Sequence, residues 1–127
     1  MPALPPLPKS ELEIARIVWE LGEATVRQVA AALPPDRNLD FWTVQTYLRR
    51  LADKGFLRVR RQGRANVYFP RVQPGRILAK AVGDFLQRAF GGETLPLVQH
   101  LIHEGGLTDA EIDQLQQSLD QLKERKK

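Results

Sequence analysis

Residues 43–70 read T-V-Q-T-Y-L-R-R-L-A-D-K-G-F-L-R-V-R-R-Q-G-R-A-N-V-Y-F-P, and the order of parts in this stretch decides the fold. A short helical run with a polar start is stopped at Gly55. Two strand-like runs, 56–62 and 65–70, follow, joined by Gly63-Arg64. Two residues including a glycine between alternating runs signal a tight hairpin. From Arg49 to Arg71 there are eight Lys or Arg and a single acid, Asp53. The pattern is a helix followed by an arginine-rich β-ribbon.

The helix is expected from about Phe41 to Lys54, with Gly55 at the usual left-handed closing position. On a 3.6-residue wheel Val44, Leu48 and Leu51 form the inward stripe, with Tyr47 at its margin. The opposite side carries Trp42, Thr46, Arg49, Arg50 and Asp53, flanked by Thr43 and Gln45. Hydrogen-bonding side chains at the N-terminal end and arginines further along suit base contacts followed by phosphate contacts. An ordinary surface helix presents a similar wheel, so the hairpin has to be weighed with it. There Leu57, Val59 and Arg61 alternate with Arg58, Arg60 and Gln62, and Val67 and Phe69 with Asn66 and Tyr68. Edge hairpins carry charge to prevent edge-to-edge pairing. Arginines at 58, 60, 61 and 64 without one acid exceed that need.

Upstream, Ser10 with Glu13 reads as a capping box that starts a helix carrying Ile14, Ile17, Val18 and Leu21, ended by Gly22. Thr25 with Gln28 starts a second, carrying Val26, Val29, Ala30 and Leu33, which Pro34-Pro35 stops. Asp36 to Asp40 is a polar loop. The expected architecture is mainly α with a small β-hairpin wing: a winged helix-turn-helix domain over residues 1–72. The wing would lie on phosphates while the third helix enters a major groove.

Residues 73–127 change character. Ile77, Leu78, Ala81, Val82, Phe85, Leu86, Ala89 and Phe90 make a broad apolar stripe, broken by Gly91-Gly92. Leu95, Leu97, Val98, Leu101 and Ile102 follow, closed by Gly105-Gly106. A last helix opens with the capping box Thr108 and Glu111, and Ile112, Leu115, Leu119 and Leu122 step at the a/d rhythm of helix pairing. Three short helices offer more apolar surface than they bury alone. Packing back on the first domain is one solution, and a helical dimerisation domain is the other. The dimer would use Phe85, Leu86, Phe90, Leu97, Val98, Leu101, Ile112, Leu115, Leu119 and Leu122. A homodimer would also place two readers on half-sites about 34 Å apart.

Composition bounds the function. The 127 residues are 43% apolar and 27% charged, the proportions of a folded domain. The net charge of +4 is unevenly spread. Residues 1–72 hold twelve bases and seven acids, or +5, and residues 73–127 hold seven and eight, or −1. A basic first domain suits a polyanion, although a solvated cationic surface has the same total. No cysteine is present, which excludes disulfides, thiolate metal sites and thiol catalysis. His100 and His103 stand three apart with no third ligand in view, so no metal is assigned. No glycine-rich phosphate loop or metal-spaced carboxylate cluster occurs. The expectation is no enzyme and no cofactor. Residues 1–8 have four prolines and no basic n-region, unlike a secretory signal, and no apolar run could insert into a membrane. A cytoplasmic protein follows. The competing reading is a winged-helix protein–protein interaction module without specific DNA binding.

Four stretches carry a family resemblance. They are E-x-x-I-A-R-I-V-W ending at Trp19, T-V-Q-T-Y-L-R-R-L-A-D-K-G-F-L from Thr43, R-R-Q-G-R-A-N-V-Y-F-P from Arg60, and G-G-L-T-D-A-E-I-D-Q-L-Q-Q-S-L from Gly105. Through them the chain, from Leu7 to Lys127, resembles the penicillinase-repressor (BlaI/MecI-type) family of bacterial transcription regulators. The resemblance implies a homodimeric repressor on a palindromic operator of double-stranded DNA, in the regulation of antibiotic resistance. It implies Thr43, Gln45 and Thr46 at base edges, Arg49 and Arg50 at phosphates or a guanine, and Arg60, Arg61 and Arg64 placing the wing on the backbone. Trp19 falls in the core, and Trp42 stands between surface and contact. A membrane sensor-protease that triggers release is the further partner implied. Two departures bear on regulation. His100-Leu101 stands where β-lactam-responsive members have a cleaved Asn-Phe bond, and the paired cysteines of the copper-responsive branch are absent.

Overall fold

Apolar residues recurring every three or four positions, with marked ends, make the helices of this chain. The computed structural model describes residues 4–127; the first three residues, the start of the proline-rich segment, lie outside that range. The order is α1 (Lys9–Leu21), α2 (Val26–Ala32), α3 (Phe41–Asp53), β1 (Leu57–Gln62), β2 (Ala65–Pro70), α4 (Pro74–Phe90), α5 (Thr94–Glu104) and α6 (Asp109–Arg125). Helices and one antiparallel hairpin, in the order of a winged helix, agree with the expected class. The chain divides into two compact units, residues 1–82 and 83–127. That break falls inside α4, whereas the composition changes at 72/73, because Ile77 on the first turn of α4 is buried in the core of the first unit.

That core is assembled from one stripe of each element. Ile14, Val18, Val29, Val44, Leu48 and Leu51 are fully buried, and Phe56, Leu57 and Tyr68 close the cluster. The inward stripe read for α3 is therefore the observed one, with Tyr47 half-buried at its edge. Gly22 ends α1 at φ 84°, a left-handed conformation that a side chain would oppose, and its N–H donates to the Trp19 carbonyl. The chain thereby turns at once into Ala24, which pairs with Tyr68 on the free edge of β2, N–H to carbonyl in both directions at 2.9 and 2.8 Å. This one bridge fixes the hairpin to the helical layer.

Two local expectations are corrected. The Ser10–Glu13 capping box does not form: α1 starts one residue earlier, capped by the extended Pro8, whose carbonyl accepts the Leu12 N–H at 2.9 Å. Ser10 then lies inside the first turn, and Glu13 instead accepts from Arg37 at 2.7 Å. The alternation along the hairpin is not a simple inside–outside one. Val59 is exposed, while the neighbours Val67 and Tyr68 are both buried. Leu57 and Tyr68 face the helices. Val67 faces the other way, directly opposite Arg60 in the register.

A partly buried ion pair joins the start of α1 to the end of α3. Lys54 Nζ donates to Glu11 Oε2 at 3.0 Å and to the Pro6 carbonyl at 3.3 Å. Glu11 is only 2% exposed, and its second oxygen has no protein partner among the described residues. Lys54 is thus a structural cation and does not belong with the outward basic set.

In the second unit, Gly91 and Gly92 turn the chain from α4 into α5, and Phe90 contacts Phe85 and His100 at ring-centroid distances of 6.1 and 6.4 Å. The Thr108–Glu111 capping box forms in both directions, and its N–H bond holds the Glu111 carboxyl below the usual carboxylate range. Neither α5 nor α6 buries a residue. Phe85, Val98, Leu101, Ile112, Leu115, Leu119 and Leu122 are exposed, and Leu86, Phe90 and Leu97 are half-buried.

Candidate nucleic-acid interface

The outward face of α3 is held by its ends. Asp40 caps the helix, its carboxylate accepting the Thr43 N–H at 2.7 Å. That bond, joined by the Thr43 side chain and the Trp42 N–H, holds the Asp40 carboxyl below its ordinary value. Gly55, at φ 90°, stops the helix after Lys54. With Val44, Leu48 and Leu51 committed to the core, Trp42, Thr46, Arg49 and Arg50 are all exposed, and Thr43 and Gln45 are half-buried beside them. The Thr46 hydroxyl donates back to the Trp42 carbonyl at 2.9 Å, a bond within the helix that engages its proton. Arg50 lies 6.0 Å from the Tyr47 ring centre.

The hairpin turns through Gly63 at φ 64° and Arg64, with Gln62 paired to Ala65. Its tip and the start of α3 border one cleft of about 540 Å³. Gln45 and Phe41 line it from α3, Arg64, Gln62 and Asn66 from the hairpin, and Thr25 and Arg27 from the start of α2. The helix face and the wing tip are therefore adjacent parts of one surface. Among the described residues Arg27, Arg49, Arg58 and Arg64 have no ion-pair or hydrogen-bond partner. Arg61 donates to the Gly63 carbonyl at 3.3 Å across the turn.

Arg60 differs from the other wing arginines. Its guanidinium donates to Glu23 at 2.6 Å and lies 5.6 Å from the Phe69 ring centre. Glu23 precedes Ala24, which pairs with the far edge of β2, so the ion pair arches across β2 from β1. The arch spans the strand that carries the buried Val67. Arg60 thus braces the wing, a role invisible when Glu23 and Arg60 are read 37 residues apart. Arg27, outside the set read from the sequence, lines the same cleft as Gln45 and Arg64. Val26 and Val29 point α2 inward, which leaves Arg27 on the outer side of a capped first turn. Trp19 packs against the core as expected, with its indole nitrogen buried and without a protein partner among the described residues. Trp42 is 71% exposed. The described residues contain no cluster able to hold a metal, and no helix among them is long and apolar enough to cross a membrane.

The model of the penicillinase repressor family matches residues 7–121. The chain belongs to the penicillinase repressor family. Over its whole length it is 29% identical to the penicillinase repressor of Bacillus licheniformis, 99% of which is covered. It is 23% identical over 110 residues, 87% of this chain and 89% of the other, to the methicillin resistance regulatory protein MecI of Staphylococcus aureus. The solution structure of the DNA-binding domain of the repressor BlaI is matched with a TM-score of 0.51 and 30% identity, over 57% of this chain and 89% of that one. The protein is accordingly a DNA-binding transcriptional repressor of the winged-helix class, and the family is one of regulators, not of enzymes.

Proposed function

We propose that the protein is a cytoplasmic repressor that binds a palindromic operator as a homodimer. The supporting observation is the shared cleft: Gln45 of α3 and Arg64 of the wing tip border the same groove. A duplex laid along α3 would be met by both. In this reading Thr43, Gln45 and Thr46 approach base edges from the leading end of α3, with Trp42 beside them. Arg49, Arg50, Arg61 and Arg64 meet phosphates or a guanine, and Arg27 adds a phosphate contact from α2. Arg60 acts indirectly, by holding the wing. The exposed Phe85, Val98, Leu101, Ile112, Leu115, Leu119 and Leu122 belong to the contact with a second copy, together with Leu86, Phe90 and Leu97.

The sensor-protease implied by the family resemblance would have to act differently here from cleavage of an Asn-Phe bond. His100-Leu101 lies within α5, and a backbone inside a helix must open locally before a protease can take it. The test of the main reading is selection of bound fragments from sheared genomic DNA by the purified protein at near-physiological salt. A few sites sharing an inverted repeat support it. Uniform recovery of all fragments, or none, overturns it.

A further inference from the structure

The most exposed large apolar side chain among the described residues is Trp42, at 71%. It is the second residue of α3, in a first turn made rigid by the Asp40 cap. The Phe41 ring stands edge-on to its indole, 5.6 Å between centres and 88° between planes. Phe41 itself lines the cleft toward the wing, so the pair extends outward from that cleft along the leading end of α3. Trp42 therefore rests on no core and is braced by one neighbour.

Its surroundings select the kind of occupant. A protein-docking patch needs a contiguous apolar area of several hundred Å², whereas the exposed face of α3 continues from Phe41 and Trp42 to Thr46, Arg49 and Arg50. A polyanion fits that setting, and residues at the start of a recognition helix are the ones that reach base edges. The major groove presents donors and acceptors on every base pair and a single kind of apolar group, the 5-methyl of thymine. Trp42 is an apolar face in that position. One turn on, the Thr46 hydroxyl proton is spent on the Trp42 carbonyl, so this hydroxyl is not free to donate to a base. The indole face of Trp42 is thus the large apolar surface at the leading end of α3, flanked by the hydrogen-bonding side chains of Thr43 and Gln45.

We infer that Trp42 is a specificity-determining residue that reads the 5-methyl group of a thymine in each operator half-site. The inference rests on the groove-entry reading above. The test uses the full-length protein and a duplex enriched by it from a randomised library. Each thymine is then replaced in turn by 2′-deoxyuridine, which removes the methyl and nothing else. Wild type should lose affinity about fourfold per half-site at one symmetric thymine position, the effect of exposing one buried carbon. Trp42→Ala should be insensitive to the same replacement. Trp42→Phe should retain part of the effect, and Arg64→Ala, remote from the methyl, should retain all of it.

Uracil tolerated at every position by wild type overturns the inference, as does an undiminished uracil effect in Trp42→Ala, while the enriched duplex keeps the groove reading intact. A library that yields no enriched sequence overturns the groove reading and this inference with it.

Discussion

The two hairpin arginines Arg60 and Arg64 should behave differently when each is changed to alanine, although they stand four positions apart on the same basic ribbon. Arg64 sits at the turn with no partner among the described residues, and it borders the cleft shared with α3. Each phosphate neutralised contributes about 0.9 to the slope of log affinity against log salt on double-stranded DNA. Arg64→Ala should therefore flatten that slope by about 0.9. As an exposed change it should alter fold stability by less than about 0.5 kcal/mol. Arg60 is held by Glu23 at 2.6 Å and by the Phe69 face. Both ion-pair partners are about half exposed, which limits that pair to about 0.2–1 kcal/mol. The contact with the ring adds about 0.5–1 kcal/mol. Arg60→Ala should then cost about 1 kcal/mol of stability and much less than one phosphate of salt slope. Anisotropy titration of a selected duplex between roughly 50 and 200 mM salt reads the slopes, and urea unfolding reads the stabilities. Equal slope losses in the two variants would refute the division of labour. So would a Glu23→Gln variant whose stability cost simply adds to that of Arg60→Ala, since partners in one contact do not add.

Other outcomes follow from the core, the caps and the second unit. Lys54→Met leaves Glu11 buried and unpaired and should cost up to about 3 kcal/mol, with the Lys54→Met/Glu11→Leu double variant recovering most of it; equal urea midpoints for wild type and the single variant would contradict the pair's role. Leu48→Ala or Leu51→Ala should each cost about 2–5 kcal/mol and abolish DNA binding at temperatures where wild type binds, and a variant that keeps its melting temperature would count against the assigned core. The depressed Asp40 carboxyl stabilises α3 above its unfolded-state value and loses that contribution as pH falls through its lower folded value. Melting curves taken from about pH 5 downward should show a shallower acid loss in Asp40→Asn than in wild type, and parallel curves would remove the cap from the account. In the proposed homodimer, Leu115→Glu with Leu119→Glu should lower the mass found in sedimentation to that of a monomer, whereas a mass unchanged from wild type would move the dimer contact off α6.

By itself the sequence determined the elements and their order. Local signals are strong here. The Thr25–Gln28 and Thr108–Glu111 boxes both form, Gly22 and Gly63 stand where the backbone turns left-handed, and the stripe Val44, Leu48, Leu51 gives α3 a single buried face. A buried stripe fixes its opposite, so the outward set Trp42, Thr46, Arg49 and Arg50 was legible as well. Two local signals failed. The Ser10–Glu13 box failed because α1 begins a residue earlier, after Pro8, and Arg37 claims the Glu13 carboxylate. The hairpin alternation failed because Val67 is buried on the face opposite Tyr68.

Only the tertiary structure decided which of the many cations are engaged within the fold. Lys54 and Arg60 look like members of the basic run, yet one pairs with Glu11 on α1 and the other with Glu23 beyond β2. A charge pattern along the chain counts cations without saying which acids lie within 3 Å of them. Those partners are 43 and 37 residues away, brought close by the packing of α1 on α3 and by the single Ala24–Tyr68 bridge. The same long-range packing sets Arg27 and Gln45 beside Arg64 in one cleft and buries Ile77 with the first unit. Periodicity and caps act within a few residues and can be read along the chain, whereas ion pairing and shared surfaces depend on distances that exist only once the core has closed.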